Sequence, residues 1–502
     1  MSIKSLASQT VWYGLSSIAA RFINYLLTPL LTYNLASMAD YGKIGVIYSA
    51  IPILNIFFTY GFETAYFRYA GKEEYKNSIY STASLSLLFS TIIFTGLLWI
   101  YQSEFGAVIK LANFPAIIRI SIFIIAFDAL STIPFARLRQ QGRPIKYAFV
   151  KIAGILINIF FTWFFIVYCP RQLQENHNSW IILFYDEKTN PVVYVVLANL
   201  FQSVFTLLLL AKEISAIRLN FNTNLWKQMM VYSMPLIIAG MGGMINETFD
   251  RLMLLWWLPG SDTYREQQVG IYNACYKLSL LITLFVQAFR MGAEPFFFKQ
   301  AEQGSPQKMY ARVMKFFVIT ISVVFLLITL FIPVWKYFIG EKYWVGLAVV
   351  PILVLANMSL GIYYNLSIWY KLANRTMAGA TITIIGAAIT CLINYLFIPR
   401  FSYMASAWAT FLCYFSMMAL SYVWGQKVYP VPYAWKKLLA YMVIALLLYF
   451  AYEGITSYFT NIAAALAFAC LLTLAFVVFV IKVEKKEFVQ LPVVGGVIKK
   501  FL

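Results

Sequence analysis

Long apolar segments dominate this sequence and leave it few possible folds. About fourteen stretches of roughly twenty residues are nearly free of charge, which is the length that a helix needs to cross a hydrocarbon core of roughly 30 Å. Unbroken apolar runs favour helices over the alternating strands of a membrane β-barrel. Hydrophobic residues make up 61% of the chain and charged residues 12%, against roughly 25% charged in soluble domains. The sequence therefore predicts an all-α polytopic membrane protein.

The apolar segments set the predicted topology. We predict fourteen transmembrane helices at 8–33, 42–66, 79–101, 115–137, 146–169, 191–211, 229–257, 269–290, 313–334, 345–370, 377–398, 403–424, 438–457 and 461–482. Their grouping gives an N-lobe at 1–212, a cytoplasmic linker at 213–228, a C-lobe at 229–424, two further helices within 425–482 and a basic cytoplasmic tail at 483–502. The first segment is too long for the apolar part of a cleavable signal peptide.

Lys and Arg in the connections predict the orientation. One set of connections carries twenty-six basic residues and the opposite set carries eight, so the first set is expected to face the cytoplasm, with both termini. This bias accounts for most of the net charge of +19. Anionic membrane lipids are therefore the expected partner of the basic surface, and no nucleic acid is needed to explain it.

Several kinds of chemistry lack their sequence signatures. The chain has no Walker-A motif, so it is not expected to hydrolyse ATP itself. Its five cysteines show neither disulfide nor metal spacing, and its single histidine, His177, falls in a predicted external loop. All connections are too short for a folded external domain. We expect a transporter without metal or cofactor, in which H⁺ or Na⁺ coupling is possible.

Charged residues within the predicted membrane segments indicate a site. A charge near the bilayer centre costs roughly 2.5–3.5 kcal/mol, so such a residue usually faces a cavity or a partner. Arg21, Lys277 and Asp128 lie deep in helices 1, 8 and 4. Lys151 lies within two turns of the cytoplasmic face, where its side chain can also snorkel to water. Asn24 is expected beside Arg21 in the same cavity.

Helix 7 carries a second polar group, Asn246, Glu247, Asp250 and Arg251. Glu247 and Arg251 are four residues apart, the spacing of an ion pair on one helix, so Arg251 either is neutralised there or binds a substrate. Deep cations without an ion-pore signature favour an anionic substrate, with a phosphate or pyrophosphate the simplest choice. Tyr272 and Tyr276 beside Lys277 could stack on sugar rings.

The order of several motifs adds a resemblance. These are Tyr13-Gly14 with Arg21 and Asn24 to Pro29; Asp40-Tyr41-Gly42; Asp250-Arg251; Val269-Gly270-Ile271-Tyr272 with Tyr276-Lys277; and Phe289-Arg290 to Glu294-Pro295-Phe296. The order and spacing of these motifs and the number of helices make the chain resemble one known family. This family is the Wzx-type polysaccharide-unit flippases of the multidrug/oligosaccharidyl-lipid/polysaccharide (MOP) exporter superfamily. No single motif is diagnostic.

The resemblance implies two six-helix lobes in a V around a cationic cavity, with two extra C-terminal helices that help to hold a lipid tail. It implies transport of undecaprenyl-pyrophosphate-linked oligosaccharide from the cytoplasmic to the periplasmic leaflet of the bacterial inner membrane, and not an enzymatic reaction. Arg21, Lys277, Arg251 and Lys151 would contact pyrophosphate. Asp128, Glu247 and Asp250 would be counter-ions or proton carriers. A polysaccharide polymerase and chain-length machinery are possible partners.

Two other functions stay open on the sequence alone. A cation-coupled drug exporter of the same superfamily would prefer cavity carboxylates and aromatic residues to deep cations. A membrane-embedded glycan polymerase or ligase would be expected to carry its chemistry on a large external loop. Arg21 and Lys277 weigh against the first alternative, and the short connections weigh against the second.

Overall fold

A computed structural model describes residues 18–175, 180–301, 306–373, 375–458 and 461–489. Within them the long helices are α1 (18–25 and Leu27–Asn34), α2 (Met38–Thr59 and Phe62–Ala70), α3 (Ile79–Ile100), α4 (Pro115–Gln140), α5 (Pro144–Trp163), α6 (Pro191–Leu209), α7 (Thr223–Glu247 and Asp250–Trp257), α8 (Asp262–Ser279 and Leu281–Ala301), α9 (Gln307–Thr329), α10 (Val349–Leu366 and Ile368–Leu372), α11 (Thr376–Phe401), α12 (Tyr403–Val428), α13 (Trp435–Thr456) and α14 (Ile462–Val483).

Short helices fill the connections. A π-helical turn, Phe164–Tyr168, extends α5 into Cys169–Glu175, and the others are Glu73–Tyr75, Gln102–Val108, Trp180–Leu183, Ala211–Ser215, Ile332–Trp335, Lys336–Phe338, Glu341–Gly346 and Lys485–Phe488. Among the described residues, twelve helices are long and apolar enough to cross a membrane, and α8, bent by 45°, makes thirteen. The described part of α1 is the remaining one of the fourteen helices named above. The predicted all-helical membrane fold is confirmed; His177 and Tyr13-Gly14 lie outside the described ranges.

The start of α8 differs from its prediction. The apolar pattern begins at Val269, but the helix begins at Asp262, after Ser261 accepts a hydrogen bond from the Tyr264 backbone N–H at 3.2 Å. A side-chain cap of this kind satisfies one of the free N–H groups of the first turn, so the helix extends through a polar segment. This extra length brings Glu266, which the sequence placed in a loop, into the protein interior, where it is buried.

The helices form two groups. In the first, α4 packs against α2, α3 and α6, and α5 packs against α6; in the second, α12 packs against α10 and α11, and α9 and α8 pack against α10. We refer to the first group as the N-lobe and to the second as the C-lobe. The connections after α2, α4 and α6 are rich in basic residues, and we call this side of the bundle the basic end. The side where α2 and α8 begin is the opposite end.

The two lobes meet most closely where α2 crosses α8, at the opposite end. A β-carbon on Gly42 would lie 1.8 Å from the Glu266 carbonyl oxygen, and one on Gly270 would lie 2.2 Å from the Met38 carbonyl oxygen. Small residues thus allow the two backbones to touch. The buried Lys43 ammonium lies 3.0 Å from the Asp40 carboxylate and 3.4 Å from that of Glu266, so an ion pair joins the lobes. Lys43, near the start of α2, therefore lies in the protein interior.

Helix α7 spans both lobes. Near its start, the Trp226 indole donates to Ser86 of α3 at 2.9 Å, and Arg68 of α2 lies 4.4 Å from the centre of the Tyr232 ring. Near its end, the Asn246 amide donates to the Thr383 carbonyl of α11 at 3.1 Å. Residues 223–228 of the predicted linker therefore form the first turns of α7 and pack on the N-lobe.

Helices α13 and α14 pack on α9, and the buried carboxylate of Glu484 holds the three helices together through hydrogen bonds. Glu484, next to the end of α14, accepts hydrogen bonds from Lys315 of α9 at 2.8 Å, Lys437 at 2.9 Å and Tyr441 at 2.7 Å. Burial raises the pKa of this carboxyl, but the three donors outweigh it and lower the pKa of Glu484 to about 2. The ionised carboxylate therefore joins three helices.

Replacing Gly42 with alanine should loosen the contact between the lobes. The new methyl group would overlap the backbone of α8, and overpacking of this kind costs about 1–3 kcal/mol. We expect a lower midpoint of thermal unfolding in detergent. Gly96→Ala is the control, since nothing lies within 4 Å of its β-carbon, and it should be neutral or stabilise by up to about 1 kcal/mol. Equal midpoints for the two variants would contradict the packing.

The Glu484 network should make stability depend on pH. A carboxyl with a depressed pKa contributes stability above its unfolded pKa of about 4.3, and this contribution is lost as the pH falls toward the folded value. We expect Glu484→Gln to be less stable than the wild type at pH 7 and the difference to shrink between pH 5 and 2. A difference that stays constant over this range would count against the ion pairs. Thermal unfolding of the detergent-solubilised protein measures it.

Candidate functional site

A cavity of about 700 Å³ lies between α1, α2, α4, α5, α6 and α8. Its volume is within the range of about 300–1,000 Å³ that is typical of small-molecule sites. Polar side chains contribute much of its lining. The basic and acidic ones are Arg21, Arg139, Lys151, Lys277, Glu63 and Asp128, and the amides are Asn24, Asn55, Asn158, Asn199, Gln202 and Asn273. Four basic groups against two acidic groups leave the cavity with a formal excess of two positive charges.

Helical spacing explains how apolar helices build a polar cavity. The lining positions recur every three or four residues, at Lys151, Ile155, Asn158 and Thr162 on α5 and at Val195, Asn199, Gln202 and Thr206 on α6. Residues with this spacing share one face of a helix. Each helix therefore turns a narrow polar face inward and keeps its apolar residues for lipid and packing.

Arg21 and Lys277 both line the cavity, as the sequence analysis expected from their depth. Within the described ranges neither side chain forms an ion pair or hydrogen bond. The Tyr25 hydroxyl donates to the Lys277 carbonyl at 2.8 Å, which ties α1 of the N-lobe to α8 of the C-lobe. The two cations therefore stand on the seam between the lobes. Lys277 lies fifteen residues after Asp262, about 22 Å along the helix.

Lys151 and Asp128 also face the cavity. The Lys151 ammonium lies 4.2 Å from the centre of the Phe135 ring, and its side chain is exposed to the cavity. Asp128 accepts a hydrogen bond from Ser203 of α6 at 2.8 Å. Lys151 thus points into the protein from a helix whose other faces meet lipid and α6, and does not need to snorkel to the membrane surface.

The basic end of the cavity carries an ion pair that the sequence analysis missed. Arg139 donates to Glu63 at 2.7 Å, and both side chains are more than 40% exposed. The predicted fourth helix ends at 137, which places Arg139 in a loop. In the structure α4 continues to Gln140 and includes Arg139. Because these two exposed side chains also line the cavity, we infer that the cavity opens at the basic end.

The amides of the cavity were also missed, apart from Asn24. The signal was present in the sequence, since Asn158 and Thr162, and Asn199, Gln202 and Thr206, have the three- or four-residue spacing of one helix face. Uncharged amides lower the hydropathy of an apolar segment much less than formal charges do, so their signal is weaker.

Arg251 corrects one expectation. Its guanidinium does not line the cavity but lies 2.7 Å from the Asp250 carboxylate and 2.8 Å from the Glu247 carbonyl oxygen. The Tyr272 hydroxyl donates to the second Asp250 oxygen at 2.6 Å, and the Tyr276 ring centre lies 4.1 Å from the guanidinium. In this conformation all four side chains belong to packed protein, so neither Arg251 nor the two tyrosines are placed to contact a substrate.

Asn246 and Glu247 are separated from the main cavity as well. Asn246 is buried between α11 and α12, where the Tyr414 hydroxyl donates to its backbone carbonyl at 3.1 Å. Glu247 is exposed, and only its backbone carbonyl contacts Arg251. Arg251 is therefore neutralised on its own helix, which is one of the two alternatives left open by the sequence. Its carboxylate partner, however, is Asp250 and not Glu247.

Known proteins resemble this chain in fold. The inward closed conformation of the lipid II flippase MurJ matches it with a TM-score of 0.65 at 14% identity, over 94% of this chain and 99% of that one. An inward-facing multidrug resistance MATE family transporter of the MOP superfamily matches with a TM-score of 0.63 at 14% identity, over 88% and 96%. An uncharacterised membrane protein of Haemophilus influenzae (strain ATCC 51907 / DSM 11121 / KW20 / Rd) is 21% identical over 373 residues, which are 72% of this chain and 82% of that protein.

The fold is thus the one that these two solved structures share. Residues 6–301, more than half of the chain, match the family described as "Polysaccharide biosynthesis protein", and the protein belongs to that family. The resemblance drawn from the motifs is confirmed in family and fold.

If Arg251 is structural, its loss should unfold the protein before it affects transport. Arg251→Met would leave the Asp250 carboxylate buried without its cation, which typically costs about 3–5 kcal/mol. We expect little protein in the membrane and a lower thermal midpoint for what remains. Arg218→Ala, at an exposed position in the connection between α6 and α7, is the control and should behave as wild type. Normal amount and stability of Arg251→Met would argue against a structural pair.

Proposed function

We propose that this protein is a flippase for undecaprenyl-pyrophosphate-linked oligosaccharide. The observation that carries the proposal is the position of Arg21 and Lys277, two cations that face the cavity from opposite sides of the lobe seam without an ion-pair partner among the described residues. Arginine and lysine bind phosphate oxygens by charge-assisted hydrogen bonds. A pyrophosphate at the seam would satisfy both.

The membrane explains why such a site is needed. A diphosphate with attached sugars cannot enter hydrocarbon without losing its hydration, which is prohibitive for a charged group. The cavity replaces part of that hydration with cations and amides, while the apolar lipid tail remains in the bilayer. Binding between α1 and α8 also joins the two lobes through the substrate, so that the head group stabilises one arrangement of the lobes over another.

The conformation fits the first half of a transport cycle. The cavity reaches the surface at the basic end, beside Glu63 and Arg139, whereas α2 and α8 close the opposite end through Gly42 and Gly270. With the basic end in the cytoplasm, as the distribution of Lys and Arg predicts, this is a state open to the cytoplasm. Release to the periplasmic leaflet then requires the α2–α8 contact and the Lys43 ion pairs to separate.

Ion coupling is part of the proposal at one residue. Asp250 is engaged with Arg251, and Glu247 lies outside the cavity lining, so Asp128 is the acidic residue best placed to carry H⁺ or Na⁺. It lines the cavity with one hydrogen bond, from Ser203. The released glycan lipid would then be available to a polysaccharide polymerase and its chain-length machinery on the periplasmic side.

Substitution of the seam cations tests the proposal. A lost hydrogen bond to a charged group costs about 1.5–3 kcal/mol, so Arg21→Ala and Lys277→Ala should each reduce transport of the lipid-linked glycan by about ten- to a hundredfold. The measurement is accumulation of glycan lipid on the inner leaflet of cells, with surface polysaccharide as the second readout.

Two further variants make this experiment decisive. Lys277→Arg keeps the charge and should retain much of the transport, and Arg218→Ala removes an exposed basic side chain and should have no effect. Normal export by both cavity variants, at normal protein levels, would reject the proposal. Loss of drug efflux with normal glycan export would favour a drug exporter instead.

A further inference from the structure

A group of uncharged polar side chains forms one side of the cavity. We call it the amide wall and define it as Asn55 of α2, Asn158 and Thr162 of α5, and Asn199, Gln202 and Thr206 of α6. All six come from N-lobe helices, and none carries a formal charge. They interrupt helices that are otherwise strongly apolar, which is costly in a membrane unless the polar groups are used.

The wall has hydrogen-bonding capacity that the protein leaves unused. The buried Asn55 Oδ1 has no hydrogen-bond partner, and in the described part of the chain the Gln202 side chain forms no hydrogen bond. Asn199 uses one N–H, toward the Tyr48 hydroxyl at 2.8 Å. Asn158 accepts from Thr162 at 3.2 Å, while its own amide N–H groups have no partner among the described residues. Each amide offers two donors and an acceptor oxygen, and Asn55, Asn199 and Gln202 are partly exposed where they line the cavity.

The chemistry of the wall differs from that of the seam. Ser203 of α6 holds the Asp128 carboxylate beside the wall, where the nearby Lys151 ammonium offsets its charge, so this side of the cavity has no excess of positive charge for a phosphate. Mixed donors and acceptors on amides and hydroxyls match groups that also both donate and accept, which are the hydroxyl and N-acyl groups of uncharged sugars. Arg21 and Lys277, by contrast, only donate.

We infer that the amide wall is a glycan subsite that binds uncharged sugars of the repeat unit, separate from the cations that bind pyrophosphate. This inference rests on the proposed function. It divides recognition into two parts, since the pyrophosphate is common to all lipid-linked glycans, whereas the sugars differ. The wall is then the part of the cavity that determines which repeat unit is carried.

Two substrates distinguish the two parts. The first is undecaprenyl pyrophosphate carrying one sugar, and the second carries a complete uncharged oligosaccharide; transport of each into the outer leaflet of proteoliposomes is measured. The wall variant is Gln202→Met with Asn55→Leu, which keeps side-chain volume nearly constant. Two lost neutral hydrogen bonds should lower transport of the oligosaccharide by about tenfold, with the single-sugar substrate changed by less than about twofold.

The controls separate failure of this inference from failure of the proposed function. Thr320→Val removes a hydroxyl that faces outward from α9 and bonds only its own helix, and both substrates should move normally. Arg21→Ala should impair both substrates equally. If the wall variant also impairs both equally, or impairs neither, at wild-type thermal stability, the glycan subsite is rejected while the flippase proposal stands. If Arg21→Ala together with Lys277→Ala leaves both substrates unaffected, the flippase proposal itself falls.

Discussion

The cost of an uncompensated polar group in hydrocarbon controls this structure. Every ionised side chain within the bundle must meet an opposite charge, a hydrogen-bond partner or a water-filled space. The same requirement separates the deep charges into two kinds. Arg251 meets a carboxylate and two aromatic rings inside packed protein, and its charge serves the fold. Arg21 and Lys277 meet a cavity, and their charge is available to a substrate.

The close crossing of α2 and α8 closes that cavity at the opposite end of the bundle. Backbone contact at Gly42 and Gly270 needs residues without side chains, and the Lys43 ion pairs add a polar bond across the same contact. Buried apolar side chains, Tyr41 and Ile44 of α2 and Val269 and Tyr272 of α8, belong to one hydrophobic core at this contact. In the proposed transport cycle, this contact is the one that has to separate.

The two lobes contribute unequally to the polar lining of the cavity. The N-lobe supplies five of the six amides and five of the six charged groups, whereas the C-lobe contributes Asn273 and Lys277 of α8. In the second half of α7 the polar groups are used between helices, as Asn246 shows in its bond to α11. Helix α8 therefore links the cavity lining of the N-lobe to the packed body of the C-lobe.

The sequence by itself determined the membrane class, the helices and the depth of Arg21, Lys277 and Asp128, because hydropathy and helical rise are local properties. It missed the start of α8, since a side-chain cap at Ser261 can extend a helix into polar sequence. Only the tertiary structure decided which charges are paired: Glu247 and Asp250 are both near Arg251 in sequence, but the break in α7 at Thr248–Phe249 turns Asp250 toward it. Pairing and burial depend on contacts between helices far apart in the chain, and no local pattern records them.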